Sequence, residues 1–223
     1  MDSIFRGSMA TPRGRGLAWL DSMLVDHGML RVVWTNFAPV VPGRLYRSNH
    51  PTPGRLARDA RRYGLRSVIN LRGPTGNGSD ALSREAAARL GLKFFDVPMS
   101  SGRAPSRERV QSLVAALQSA PGPALLHCKS GADRAGFAAA IFILLQGGSV
   151  AQALRQMSLR FGHLRRSRAG VLDAFLLRYA AQAEGRRPFT DWLRDEYDEA
   201  ALSRDYVASG LASFLQTHLL ARE

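Results

Sequence analysis

The chain of 223 residues contains a single cysteine, Cys128, and Arg134 follows it with five residues between. A thiolate is a strong nucleophile. The planar fork of an arginine can hold two oxygens of a tetrahedral oxyanion. The stretch that joins them reads His127-Cys128-Lys129-Ser130-Gly131-Ala132-Asp133-Arg134-Ala135-Gly136. A loop of this length between a strand and a helix can curl so that successive backbone N–H groups face one anion, with the helix dipole behind them. Gly131 permits the tight backbone path and Gly136 close helix packing. The expectation is that Cys128 attacks phosphorus while Lys129, Ser130, Gly131, Ala132, Asp133 and Arg134 hold the phosphate. The competing reading makes Cys128 a small buried apolar residue after a strand.

The elements around this stretch have to present it at one edge of a core. Ala124–Leu126 reads as a buried strand, as do 67–71, 93–97 and a short run ending at Ser48. Thr52-Pro53 supplies an N-cap and a first-turn proline for a helix through Tyr63, closed by Gly64. Leu82, Ala86 and Leu90 share a face of a second helix that Gly91 stops, and Val110, Leu113, Val114 and Leu117 mark a third. Further helices are expected near 134–145, 150–160 and 168–181, with two more after Pro188. Strands alternating with helices imply an α/β fold with a mainly parallel sheet covered on both faces. In such sheets ligands bind beyond the carboxyl ends of the strands, where residue 127 begins.

At His127–Gly136 the chain resembles the cysteine-dependent protein tyrosine and dual-specificity phosphatases, whose signature is His-Cys-x5-Arg followed by Ser, Thr or Ala and then Gly. Gly43-Arg-Leu-Tyr-Arg-Ser48 with Pro51, and Ser67-Val-Ile-Asn-Leu-Arg-Gly73, look like compact bacterial and plant atypical members, so the likeness spans roughly residues 40 to 182. It implies a cysteinyl-phosphate intermediate hydrolysed by water, with no metal or cofactor. Lys129 resembles the lysine of phosphoinositide-directed members. Ala135 stands where many members carry a hydroxyl that helps expel the cysteine.

The resemblance also implies an aspartate on a separate loop that protonates the leaving oxygen, yet Val97–Pro105 holds no carboxylate. Asp96 lies 32 residues before Cys128, at a fitting distance but inside a strand pattern. Asp133, beside Arg134, is the favoured candidate acid, with Asp96 and His163 as rivals. His127 is expected to orient the loop. Arg47 and Arg72 either line the same rim or are surface cations, and Arg165, Arg166 and Arg168 read as a solvated face. A non-enzymatic phosphate-binding adaptor on the same fold is the alternative reading; a rhodanese fits less well because its loop is shorter.

The hydrophobic fraction of 45% argues for a packed chain, and the net charge of +13 comes from 31 basic residues of which only Lys93 and Lys129 are lysines. Partners should therefore be anionic: a phosphorylated protein, a lipid or a small molecule, with an anionic membrane surface also compatible. No nucleic-acid module is present. The lone cysteine excludes an internal disulfide and points to a reducing compartment, the cytoplasm by default. The longest apolar run, Phe137–Leu145, is far short of the roughly 20 residues that span a bilayer. Residues 1–16, with Arg6, Arg13 and Arg15, read as a basic arm. Leu17, Leu20, Met23 and Leu24 suggest a helix within 17–33 that covers the core or touches a membrane surface. A phosphatase domain is expected over 17–182. From 183 to 223 a helical extension carries Phe189, Trp192, Leu193, Tyr197, Tyr206, Phe214 and Leu215, packed on the domain or on a partner subunit.

Overall fold

The structure, a computed structural model, describes residues 4–5, 9–25 and 34–207. Four strands run parallel: β2 (Leu45–Ser48), β3 (Ser67–Asn70), β4 (Lys93–Asp96) and β5 (Ala124–His127). A fifth, β1 (Ala38–Val41), pairs antiparallel with β2, giving the order β1-β2-β5-β3-β4. β1 escaped the sequence reading because Pro39 interrupts a run of only four residues, which suits an edge strand. Ser48, His127, Asn70 and Asp96 stand in register. The carboxyl ends of all four parallel strands therefore form one row.

Helices α2 (Pro53–Tyr63), α3 (Gly78–Arg89), α4 (Arg107–Ser119) and α5 (Asp133–Leu145) fill the crossovers and the segment after β5. Thr52 caps α2, accepting from Arg55 N–H, and Gly64 closes it at φ 63°. Side chains alternate across the sheet. Leu45, Ile69, Leu126 and Cys128 join the core under α4 and α5. Tyr46, Val68 and Leu125 join the opposite core with Leu56 and Ala86. Arg47, two residues after Leu45, consequently lies on the α5 side.

The helix expected over 150–160 is instead α6 (Val150–Leu154), followed by turns and a 3₁₀ turn at Leu159–Phe161. The Gln156 carbonyl accepts from Arg47 and so serves a tertiary contact. α7 (Gly170–Gln182) and α8 (Phe189–Asp195) follow, and residues 199–207 are again helical. Phe189, Trp192, Leu193, Tyr197 and Leu202 are buried in the core that holds Phe137 and Phe175. Trp192 is fully buried, donates Nε1–H to Gln182 and stacks edge-on against Phe175. Phe214 and Leu215 lie outside the described residues.

At the N-terminus, the expected arm already contains helix: α1 (Pro12–Leu20) starts inside it, capped by Thr11, whose hydroxyl accepts from Gly14 N–H. This is the Thr-Pro signature of α2, obscured by Gly14 and Gly16. A π-helical turn, Asp21–Val25, continues α1. The buried face is not the leucine stripe. Ala18, Asp21 and Ser22 are buried, whereas Leu20 and Leu24 are exposed. Asp21 accepts from Ile4 N–H and Gly78 N–H, and Ser22 is bonded to Ser79 Oγ. A Cβ on Gly78 would sit 2.2 Å from Ala18 O, so the two helices meet through this glycine. The rest of the 17–33 segment, 26–33, lies outside the described residues. Among the described residues no helix is long and apolar enough to cross a membrane.

Candidate active site

Residues 128–132 leave the end of β5, curl beneath the row of strand ends and enter α5 at Asp133. Four consecutive carbonyls of this loop are held from outside. His50 N–H donates to Lys129 O at 3.3 Å, Asn36 Nδ2 to Ser130 O at 3.1 Å, and Arg47 Nη2 to Gly131 O at 2.6 Å and Ala132 O at 3.0 Å. In a trans peptide each N–H points opposite to the carbonyl before it. The N–H groups of Ser130, Gly131 and Asp133 therefore turn away from these outer donors, and that of Ala132 meets Ser130 Oγ. Gly131 N–H indeed donates to Cys128 Sγ at 3.2 Å. The α5 N-terminus has no side-chain cap, which leaves its first amides for an anion.

Two glycines make the path possible. Gly131 has φ 76°, and a Cβ there would lie 2.6 Å from Asn49 N. Gly136 lets α5 approach the 156–157 backbone: a Cβ would fall 2.7 Å from Gln156 O and 3.3 Å from Arg47 Nη2.

Cys128 is buried at the floor of the loop, 1% exposed. Arg134 stands in the first turn of α5, half-buried, and among the described residues its side chain enters no hydrogen bond or ion pair. Lys129 is half-buried and Ser130 exposed, with Ser130 Oγ accepting from Ala132 N–H. His127 is fully buried at the end of β5 with its ring edge-on to His50, 4.7 Å between centroids. Its carbonyl accepts from Leu71 N–H.

The rival acids separate. Asp96, at the end of β4, has its oxygens on Asn70 Nδ2 (2.9 Å) and on Arg84 of α3 (2.8 Å), two strands away from β5. Asp133 and His163 come together: His163 Nδ1 lies 2.7 Å from Asp133 Oδ1 and Nε2 lies 2.6 Å from Asp173 Oδ2. Burial alone would push the imidazole pKa down, but hydrogen bonds and charge from Asp133 and Asp173 outweigh it and hold it at about 9. His163 is thus an imidazolium with both N–H groups committed to carboxylates. The Asp133 carboxylate keeps an exposed side, 29% accessible.

Arg47 and Arg72 differ from each other. Arg72 Nη1 is 3.2 Å from His50 Nδ1, at the rim. Arg47 is completely buried beneath the loop, with Nη1 on Gln156 O (2.6 Å) and Gln156 Oε1 (3.0 Å) and its guanidinium 3.9 Å from the Phe161 ring centre. Sequence reasoning did not find Asn36, His50, Gln156 or Asp173. Asn36 takes a φ of 51°, a conformation that asparagine tolerates better than most residues.

A mainly parallel sheet with a Cys-x5-Arg loop turning into a helix matches the fold of the cysteine-dependent phosphatases of the tyrosine and dual-specificity type. Residues 47–142 match the family model described as beta-lactamase hydrolase-like protein, phosphatase-like domain. The fold is similar to that of TpbA from P. aeruginosa, at 26% identity over 70% of this chain and 91% of that one, with a TM-score of 0.55. A serine-for-cysteine variant of TpbA in complex with pTyr matches at 26% identity, 72% and 88% coverage, and TM-score 0.53. PTPMT1 matches in fold, at 17% identity, 66% and 98% coverage, and TM-score 0.51. No curated protein sequence matches the chain.

Proposed function

We propose that this protein hydrolyses phosphate monoesters through a cysteinyl-phosphate intermediate. The observation that carries the reading is the set of carbonyls at 129–132 held from outside, with Gly131 N–H donating to Cys128 Sγ and Arg134, unengaged among the described residues, in the first turn of the uncapped helix that follows. Such an array stabilises charge on the equatorial phosphoryl oxygens without reorganising during reaction.

In the first step the Cys128 thiolate forms the S–P bond as the ester P–O bond breaks. The leaving oxygen takes a proton from the Asp133–His163 pair, which shares one transferable proton between carboxylate and imidazole. Delivery leaves Asp133 ionised and His163 neutral. In the second step water attacks phosphorus, the S–P bond breaks, inorganic phosphate leaves, and the proton of the water returns to the pair. Asp96 is assigned a structural role, tying α3 to the strand ends through Arg84. Lys129, Ser130, Gly131 and Ala132 contribute chiefly backbone to the phosphate site.

The TpbA complex with pTyr favours phosphotyrosine among the substrates, with phosphoinositides and other anionic phosphoesters compatible with the basic chain. A turnover screen over phosphotyrosine peptides, phosphoinositides and sugar phosphates, with Cys128→Ser as control, tests the reading. Turnover of one class that the variant lacks supports it; binding of phosphate without turnover of any would make the protein an adaptor.

A further inference from the structure

We propose that Arg47 is a positioning residue of the phosphate site: its buried guanidinium builds the loop in its anion-binding form from beneath and adds a fixed positive charge under Cys128. The inference rests on the phosphatase reading above and deepens it. Arg47 projects from β2, whose register sets it opposite Leu126, two residues before the nucleophile and on the same face of the sheet.

A fully buried arginine is costly unless its charge is compensated. Among the described residues Arg47 makes no ion pair with a carboxylate, and its hydrogen bonds all go to neutral acceptors: Gly131 O, Ala132 O, Gln156 O and Gln156 Oε1. Nε has no partner there. Burial lowers its pKa to about 10, with the charges of Cys128 and Asp133 opposing that shift. The guanidinium therefore remains charged at neutral pH.

The geometry divides the role in two. The fork sets the loop, since Nη2 bridges two successive carbonyls and so fixes the peptides whose N–H groups belong to Ala132 and Asp133. The charge sets the potential, which a lysine would retain without the fork. Phe161 covers the guanidinium face and Gly136 leaves the room for Nη2, so neighbouring elements are shaped around this one side chain.

The two parts can be read separately in wild type, Arg47→Lys and Arg47→Met. Vanadate inhibition reports the loop's geometry, and the ratio of Cys128 alkylation by anionic iodoacetate to that by neutral iodoacetamide reports the potential. Arg47→Met is expected to lose about tenfold or more in vanadate affinity and to lower the alkylation ratio, with unchanged far-ultraviolet circular dichroism. Arg47→Lys should restore the ratio but not the vanadate affinity. A folded Arg47→Met variant with both readouts at wild-type values would overturn the proposal. Should the Met variant not fold, Gln156→Ala carries the test, because it removes an acceptor on Nη1 and keeps the charge. Weaker vanadate binding at an unchanged alkylation ratio supports the proposal, and unchanged vanadate binding defeats it. If wild-type Cys128 is not alkylated at neutral pH and vanadate does not inhibit, the phosphatase reading itself has failed.

Discussion

His163 Nδ1 lies 2.7 Å from Asp133 Oδ1, joining the last residue before Arg134 to a histidine 30 positions later in the chain. Asp173 holds the other ring nitrogen, so the imidazolium is clamped between two carboxylates and restrains Asp133 at the rim of the loop. The clamp has a pH signature. Because His163 is raised in the folded chain from 6.5 to about 9, its contribution to stability is fully present below about pH 6.5 and is lost as pH rises through about 9. Thermal midpoints of wild type and His163→Gln between pH 6 and pH 10 should converge as pH increases. A constant gap would show that the ring does not titrate in this window.

Asp133 should act on the leaving group. Asp133→Asn is expected to lose roughly 10²–10⁴ in rate on an alkyl phosphate and much less on nitrophenyl phosphate, whose leaving group needs little protonation. Asp96→Asn should leave the comparison unchanged. Equal losses on both substrates would reduce Asp133 to a shaper of the loop, and a selective loss in Asp96→Asn would move the acid to the end of β4.

Cys128→Ser should abolish hydrolysis of aryl phosphates without unfolding, since an alcohol is far less ionised than a thiol. Arg134→Lys should be severely impaired, because a point charge cannot reproduce a bidentate grip. Steady-state kinetics with nitrophenyl phosphate decide both, and near-normal rates in either variant would remove that residue from the chemistry.

Gly131→Ala combines a strained φ of 76° with a Cβ 2.6 Å from Asn49 N. The loop must shift, so phosphate inhibition and turnover should fall together while most of the stability is retained. Product-inhibition constants measure this, and wild-type values would mean that the path tolerates a side chain.

Trp192→Ala should destabilise the protein by about 3–5 kcal/mol, the usual cost of deleting a fully buried large aromatic. Urea denaturation followed by circular dichroism provides the test. A loss below about 1 kcal/mol would show that α8 is dispensable to the core.

The sheet and the loop were legible because their signals are local. Ala124–Leu126 is an apolar run of strand length, Thr52-Pro53 opens a helix, and Cys128, Gly131, Arg134 and Gly136 lie within nine residues of one another. The supports of the loop were not legible. Arg47 meets Gly131 across 84 positions and Asn36 meets Ser130 across 94, and neither pairing leaves a pattern in the chain. Asp133 and His163 were read as rivals because only the turn after α6 brings them together. Asp96 matched in sequence distance alone, and its bonds to Asn70 and Arg84 depend on the pairing of β3 with β4. α1 was obscured by its glycines, and its buried contact is made by Ala18 and Asp21 where leucines were expected.

The outward-held carbonyls also determine where discrimination among substrates can arise. Their donors come from β2, from residue 36 and from residue 50, so the protein itself supplies the contacts that hold the loop. A receptor of that kind grips the phosphoryl group alike in every substrate, and small oxyanions should compete with all of them to the same degree. Preference for one phosphoester over another then has to be written outside this loop, in neighbours such as Arg72 beside His50, where mutations could exchange substrates without touching Cys128, Asp133 or Arg134.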